Sequence, residues 1–241
     1  MSLKKILKVL FYSLPIKVQC FIESLLTSGR MSVGSKSYIH PSVHVIGKNN
    51  VFIGNNVCVS EGTWLNVNHR IKGKFSIKIG DYCFIGKRNF FTSGDLIEIG
   101  SFTLTTIECK FIGSSHNIHD PQNSYLLSGT TGSDRIKIGV NCFIGAGATV
   151  LGNVKIGHGS VIASGAIVLK DIPPFSMAVG NPAKVIKRYS FKRKAWVSLS
   201  KITDKDEMAM PSEQDYLVQL RAKYPIVNMP WIAAGKSLGD L

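Results

Sequence analysis

Residues 136–188 read IKIGVNCFIGAGATVLGNVKIGHGSVIASGAIVLKDIPPFSMAVGNPAKVIKR, and this stretch decides the fold. β-Branched residues recur in it at every sixth position: Ile138, Ile144, Val150, Ile156, Ile162 and Val168. Gly139, Gly145 and Gly157 directly follow three of them. A period of six matches neither a helix nor an alternating strand. It matches a polygon, in which a short strand and a turn bring each branched side chain to the same inward position. Stacked turns then bury a continuous column, the architecture of a parallel β-helix. Glycine suits the position after the inward residue, where the chain bends and a positive φ is tolerated.

Upstream the same period is present but interrupted. Val33, Ile39 and Val45 hold one register, and Ile53, Val59 and Leu65 hold a second. Residues 66–76, NVNHRIKGKFS, are basic and off-register, so they are read as a loop leaving the column. Ile79, Ile85, Phe91 and Ile97 resume the spacing, and Ile99-Gly100 restarts it two residues on. Between Thr103 and Ile112 the register reads poorly. Residues 114–135, SSHNIHDPQNSYLLSGTTGSDR, form the widest interruption, polar and carrying two histidines. Long insertions between repeats commonly sit on the binding face.

Downstream, Pro173-Pro174 ends the ladder, because proline donates no backbone hydrogen bond. Residues 183–200 are basic and read as a helix crossing the end of the column, finishing near Trp196. Residues 212–223 read as a second helix, with Ser212 as its cap. The chain therefore divides into an amphipathic N-terminal segment (1–31), the repeat domain (32–182) with loops at 66–76 and 114–135, and a basic C-terminal helical segment and tail (183–241).

The 241 residues carry 29 Lys and Arg against 15 Asp and Glu, a net charge of +14. This excess suits an anionic partner such as a phosphorylated cofactor, an acidic glycan or anionic lipid, besides ordinary solubility. No zinc-finger spacing and no RNA-binding aromatic signature is present, so nucleic acid is not expected. The five cysteines, Cys20, Cys58, Cys83, Cys109 and Cys142, are odd in number and scattered. They are read as reduced thiols of a cytoplasmic protein, none of them a nucleophile. Lys8, Pro15 and Lys17 break the apolar N-terminal run, so it is read as two short amphipathic helices rather than a leader or a span. They suit packing on the column; a basic helix on the inner face of a membrane is the alternative.

The array, followed by KDIPP (170–174) and GNPAK (180–184), resembles the left-handed β-helix, hexapeptide-repeat acyltransferases. The resemblance is nearest to bacterial sugar and surface-polysaccharide O-acetyltransferases. It covers about residues 32–188. It implies an all-β fold wound as a single-stranded left-handed parallel β-helix, with short N- and C-terminal helical appendages. It also implies a homotrimer with sites between neighbouring prisms, acetyl-CoA as co-substrate, a saccharide acceptor and no metal.

Acetyl transfer to a sugar hydroxyl needs a base for the hydroxyl proton and donors for the developing oxyanion. Histidine, with an ordinary pKa of ~6.5, suits the first task. His116, in GSSHNIHDP, matches the loop histidine of the resembled enzymes and is the candidate base; His119 is the alternative. Asp120 either orients a histidine or caps the turn at Pro121, and the cap is preferred. His40 and His44 are read as exposed turn residues, His69 as part of the basic loop, and His158 as a turn residue after Ile156-Gly157, where a polar side chain is expected. By motif matching, Phe143, Ala146, Ser164, Lys170, Lys184 and Lys187 are the cofactor contacts, with the lysines meeting phosphates. Phe143 equally suits packing on a neighbouring coil, and the lysines equally suit a solvated surface. Asn89, Ser93, Asp95 and His119 are the acceptor-side candidates.

Three other readings share parts of this sequence. One is an N-acetyltransferase acting on a nucleotide-linked amino sugar. Another is a carbonic-anhydrase-type metalloenzyme, for which the spacing of His69, His116 and His119 does not fit. The last is a non-catalytic scaffold, against which KDIPP and GNPAK argue.

Overall fold

The computed structural model describes residues 29–225, together with Pro15 and Val18. The N-terminal helices expected over residues 1–28 and the tail after Pro225 lie outside the described residues. What is described is a prism of three sheets, built from parallel strands that recur coil by coil. Face A stacks Ser32–Val33, Val51–Ile53, Ile77–Ile79, Leu96–Ile99, Arg135–Ile138 and Val154–Ile156. Face B runs from Tyr38–Ile39 through Cys58–Val59, Phe84–Ile85, Leu104–Thr105, Phe143–Ile144 and Val161–Ile162 to Ser176–Val179. Face C stacks His44–Ile46, Trp64–Val67, Phe90–Ser93, Lys110–Ile112, Thr149–Leu151 and Ile167–Val168.

The period of six has a simple origin. A two-residue face-B strand plus a four-residue turn returns the chain to the same inward position. Thus Ile138, Ile144 and Val150 are the face-A, face-B and face-C members of one coil, and Ile156, Ile162 and Val168 those of the next. All six are 0–2% exposed. Each buried branched side chain is worth about 1.5–3 kcal/mol relative to exposure, and the register makes those contributions contiguous. Phe91 and Phe111 stack at 4.5 Å inside face C and continue the column.

The stretch from Thr103 to Ile112 is a regular coil, contrary to the irregular register read from sequence. Thr105 takes the inward face-B position between Ile85 and Ile144 and is fully buried. It is β-branched, as the slot requires, but its hydroxyl hides it from an apolar pattern.

Glycine after the inward isoleucine also has a different cause from the one expected. These glycines do not have positive φ. They are needed because a Cβ on Gly80 would lie 2.7 Å from the Ser101 nitrogen, and one on Gly139 or Gly157 would come closer still to the next coil. The positive φ falls two residues later, at Lys36, Asn56, Tyr82, Phe102, Asn141 and Phe175 on the A–B corner. On the B–C corner it falls at Gly62, Arg88, Glu108, Gly147 and Gly165.

The segment expected as a helix over 183–200 is a hairpin. Lys184–Ser190 pairs antiparallel with Ser176–Val179, and Ala195–Ser198 pairs with Lys184–Ser190, extending face B. The β-branched and aromatic Val185, Ile186, Tyr189 and Trp196 suit strands, and the exposed edge of Ser176–Val179 supplies a template that a helix would leave unpaired. Helix α1 (Asp204–Met208) follows, with a capping box between Thr203 and Asp206. Helix α2 (Glu213–Lys223) is capped by Ser212 through the Asp215 amide, as the sequence predicts. It lies over the A–B corner: the Val140 amide donates to Glu213 Oε1 at 2.9 Å, Asn141 meets the Tyr216 hydroxyl, and Arg221 reaches Asp81 at 3.3 Å. Among the described residues no helix is long and apolar enough to cross a membrane.

The outer faces differ in chemistry. Face A presents Lys78, Glu98, Lys137 and Lys155 outward on paired strands. Face B presents Leu104, Phe143, Val161 and Met177. Face C presents Ile112, Leu151 and Ile167 in its later coils.

Candidate functional site

The third corner, between faces C and A, is where the prism opens. Its connections vary from two residues (152–153) to the twenty-two residues of 113–134. That longest connection is an arm. His116 pairs with Thr130 in an antiparallel bridge, the Thr131 amide donates to the Ser115 carbonyl at 2.7 Å, and the Asn117 amide donates to the Gly129 carbonyl at 3.1 Å. Asn117 Nδ2 donates to the Ser128 carbonyl at 2.8 Å, and Ser128 Oγ to the Asn117 carbonyl at 2.7 Å. A sequence rich in Ser, Thr and Asn thereby replaces an apolar core with side-chain-to-backbone bonds.

The root of the arm is clamped to the expected basic loop. His69, at the start of that loop, sets its Nε2 at 3.0 Å from the Thr131 carbonyl and 3.2 Å from the Thr130 hydroxyl. Gly132 faces the same ring, where a Cβ would stand 3.1 Å from Nε2. His69 is therefore a brace, a role its loop position alone did not suggest. Asp95, in the C–A turn of the next coil, is paired to Lys74 of the same basic loop and, at 3.5 Å, to Arg135. The Lys74 bond holds the Asp95 carboxyl below the usual range.

His116 is exposed, with its backbone fixed by the bridge to Thr130. His119, also exposed, lines a hollow of about 370 Å³ within the arm with Asn117, Asp120, Asn123, Ser124, Leu127 and Ser128. Asp120 caps its turn, its carboxylate accepting from the Gln122 backbone amide at 2.9 Å and from Asn123 Nδ2 at 2.6 Å. The tip bears Ile118, Leu126 and Leu127 at 66%, 81% and 83% exposure.

Two of the acceptor-side candidates prove internal. Asn89 is 1% exposed, and its Nδ2 donates to the carbonyls of Gly86 at 2.6 Å and Thr106 at 2.8 Å, pinning a B–C turn. Ser93 is fully buried at the end of its face-C strand. Neither can touch an acceptor, because the polar side chain points into the prism. Asp95 is on the surface but committed to its two cations.

The cofactor candidates separate into two groups. Phe143 is 39% exposed on the outside of face B, between Leu104 and Val161. Ala146 and Ser164 occupy the same place in successive B–C turns, joined by the Gly165 amide donating to the Ala146 carbonyl at 2.7 Å. A Cβ on Gly147 or Gly165 would meet nothing within 4 Å, so this corner is an open strip. Lys184 begins its strand beside the strip, after the cis Asn181–Pro182 bond, where the Ala183 amide donates to the Ile167 carbonyl at 2.7 Å. Lys187 lies farther along that strand, opposite Met177. Lys170 does not join this group, because it follows Ile167–Val168 and so stands on the C–A corner with the arm. Arg188, adjacent to the candidate lysines, is taken by Glu207 and by the Pro174 carbonyl at 3.2 Å.

His158 holds the turn position expected, but it is buried. It is 8% exposed, its Nε2 lies 3.0 Å from the Pro211 carbonyl, and its ring stands edge-on to Phe175 at 4.9 Å. It seats α2. The described cysteines are inert: burial pushes the Cys83 and Cys142 thiols up to about 12 and raises Cys58 and Cys109. Among the described residues no three His, Cys, Asp or Glu side chains gather as metal ligands.

Residues 135–170 match the family model described as bacterial transferase hexapeptide (six repeats). Comparison with curated protein sequences gave no match. Among solved structures, the N-acyltransferase AntD from Bacillus cereus, with dTDP and 3-hydroxybutyryl-CoA, superposes with a TM-score of 0.58 at 19% identity, over 83% of this chain and 96% of that one. A variant of the same enzyme, with dTDP-4-amino-4,6-dideoxyglucose and coenzyme A, gives 0.58 at 19% identity over 82% and 96%. A maltose O-acetyltransferase from Clostridium difficile 630 gives 0.47 at 25% identity over 76% and 83%. Residues 135–170 thus carry the repeat signature of the bacterial hexapeptide transferases, and similar coils stack on both sides of them.

Proposed function

We propose that the protein is an acetyl-CoA-dependent O-acetyltransferase acting on a hydroxyl of a surface saccharide, with His116 as general base. The observation that carries this reading is the arm: an exposed histidine on a braced loop, set on a hexapeptide prism whose B–C corner is an open strip. His116 accepts the hydroxyl proton as the sugar oxygen attacks the thioester carbonyl. The C–S bond then breaks, and the same proton passes to the departing sulfur. Ala146, Ser164 and the open positions at Gly147 and Gly165 leave room for an extended pantetheine arm. Lys184 and Lys187 offer cations to its phosphates.

The arm and the strip flank opposite edges of face C in one chain. A homotrimer of left-handed prisms, in which one copy's arm meets its neighbour's strip, fits this separation. The aliphatic outer surfaces of faces B and C, against the charged face A, support self-association. A cytoplasmic role in building an acidic capsule or O-antigen, at or near the inner membrane face, completes the proposal and suits the net charge of +14.

The test is release of free thiol from acetyl-CoA on addition of saccharides. His116→Ala lowers turnover by about 10²–10⁴-fold, the usual contribution of a positioned base; near-normal turnover removes His116 from the mechanism. The second reading, N-acylation of a nucleotide-linked amino sugar, draws on the ligands of the Bacillus cereus enzyme. Competition between such a nucleotide sugar and a polysaccharide for the same enzyme separates the two.

A further inference from the structure

His44, Trp64 and Phe90 stand on neighbouring strands of face C, in register, each one position before an inward residue. All three therefore project outward. The His44 and Trp64 rings are 4.7 Å apart, and the Trp64 and Phe90 rings 6.4 Å apart. Trp64 is 47% exposed, an unusual outlay of its large apolar surface in water.

Along one edge of this column runs a row of amides. Asn66 Nδ2 donates to Asn68 Oδ1 at 2.8 Å, and Asn68 Nδ2 donates to Thr92 Oγ1 at 3.0 Å. Each amide has two donors and a carbonyl with two lone pairs, so these bonds leave hydrogen-bonding capacity unused. Lys110 continues the aromatic column into the next coil. Face B carries Tyr38, Phe84 and Phe143 at the equivalent positions, but Cys58 and Leu104 separate them, and Val161 and Met177 follow, so they form no consecutive aromatic column.

A pyranose ring has an apolar C–H face and a rim of hydroxyls. It is held by an aromatic plane bordered by amides, and a uronic acid adds a carboxylate that a lysine meets. The aromatic column also leads to the candidate base. Asn68 adjoins His69, whose ring holds Thr130 and Thr131, and Thr130 is bridged to His116.

We infer that His44, Trp64 and Phe90, with Asn66 and Asn68 at their edge, form a saccharide-binding platform for sugar residues beyond the one acetylated. This rests on the reading of the protein as a saccharide-directed transferase. It assigns the acceptor to oligomeric or polymeric glycans rather than to a monosaccharide or a nucleotide-linked sugar.

The test uses the full chain with Trp196→Phe and Trp231→Phe, leaving Trp64 as the sole indole. It is titrated, without acetyl-CoA, with a panel of neutral and uronic-acid-containing hexasaccharides and with their component monosaccharides. At least one hexasaccharide changes Trp64 emission saturably, at concentrations where its monosaccharides do not. In the parent background, Trp64→Ala weakens hexasaccharide binding by calorimetry at least about tenfold, as removal of a central aromatic anchor does. It also raises KM for the hexasaccharide more than for the monosaccharide. A panel that leaves Trp64 unperturbed, or unchanged calorimetric binding in Trp64→Ala, overturns the platform. A fall in molecular mass of Trp64→Ala by sedimentation also overturns it, by assigning the surface to a second copy. His116→Ala keeps the binding. Binding without any acetyl transfer by the parent protein would sink the proposed function and leave the platform standing.

Discussion

The prism has two kinds of corner, and the contrast between them explains both its order and its chemistry. The A–B and B–C corners turn in four residues in almost every coil, with a positive φ at the third. The glycine that opens these turns, such as Gly86, Gly100, Gly139 or Gly145, lies against the backbone of the next coil, whereas Gly147 and Gly165 at the positive-φ position face open space. The C–A corner obeys no such rule, and its connections hold the basic loop, the short turn at Gly94-Asp95 and the His116 arm. Two corners set the register, and the third is free to vary. Candidate catalytic groups lie on the free corner, while the open strip beside Ala146 and Ser164 lies on a constrained one. A regular stack can hold both at a fixed separation without either being part of its core.

The contrast breaks first at catalysis. His116→Ala on the free corner loses turnover by about 10²–10⁴-fold in the thiol-release assay and leaves the thermal midpoint within a degree or two. Ile144→Ala in the column does the reverse in kind, costing about 2–5 kcal/mol in denaturant unfolding because the column leaves a cavity that cannot collapse. Equal destabilisation by Ile118→Ala at the arm tip would erase the distinction between arm and column.

A smaller effect separates two glycines. Gly157→Ala places a methyl against the Pro174 backbone and costs about 1–3 kcal/mol by urea titration, the usual cost of overpacking. Gly147→Ala meets open space, so it pays only for its positive φ and should cost less. If the two cost the same, close approach between coils is not what demands glycine.

Acid should act on the C-terminal appendage through Asp206. The Ser190 hydroxyl, with Thr203, holds the Asp206 carboxyl at about 2 against an ordinary 3.8. A depressed carboxyl stabilises the fold fully above its ordinary value, and that contribution is lost as pH falls from about 3.8 towards 2. Trp196 fluorescence, reporting on the hairpin, follows this loss, and Asp206→Asn flattens it. The smallest effect expected is for Lys184→Ala, a rise of about three- to tenfold in KM for acetyl-CoA with kcat unchanged, as for an exposed phosphate contact.

The sequence carried the column well where the free corner happened to preserve the count. The two-residue C–A connection at 152–153 leaves Val150 and Ile156 six positions apart, so residues 138–168 read as one array. Elsewhere the same corner spans other lengths, and each change looked like a register fault although the coil itself was intact. Thr105 and Thr103 were illegible because a buried threonine satisfies its hydroxyl internally, Thr103 against the Gly139 carbonyl at 3.0 Å. The arm was visible as a polar interruption, and Asp120 as its cap. The brace from His69 was not, since 61 residues separate it from Thr130. Asn89 misled for a related reason: asparagine in a turn and asparagine in a binding site look alike until its amide is seen to face inward. The hairpin at 184–198 was hidden by its basic composition, which suits a solvated helix as readily as an edge strand.

In the proposed function the prism holds a base on its free corner and a cofactor strip on a constrained one, joined across a neighbouring copy. A crystal structure with coenzyme A bound tests it most directly. The pantetheine arm is expected to run past Ala146, Gly147, Ser164 and Gly165, with its sulfur beside the imidazole of His116 from an adjacent copy. Coenzyme A bound elsewhere, with that sulfur remote from every His116 in the assembly, would contradict it.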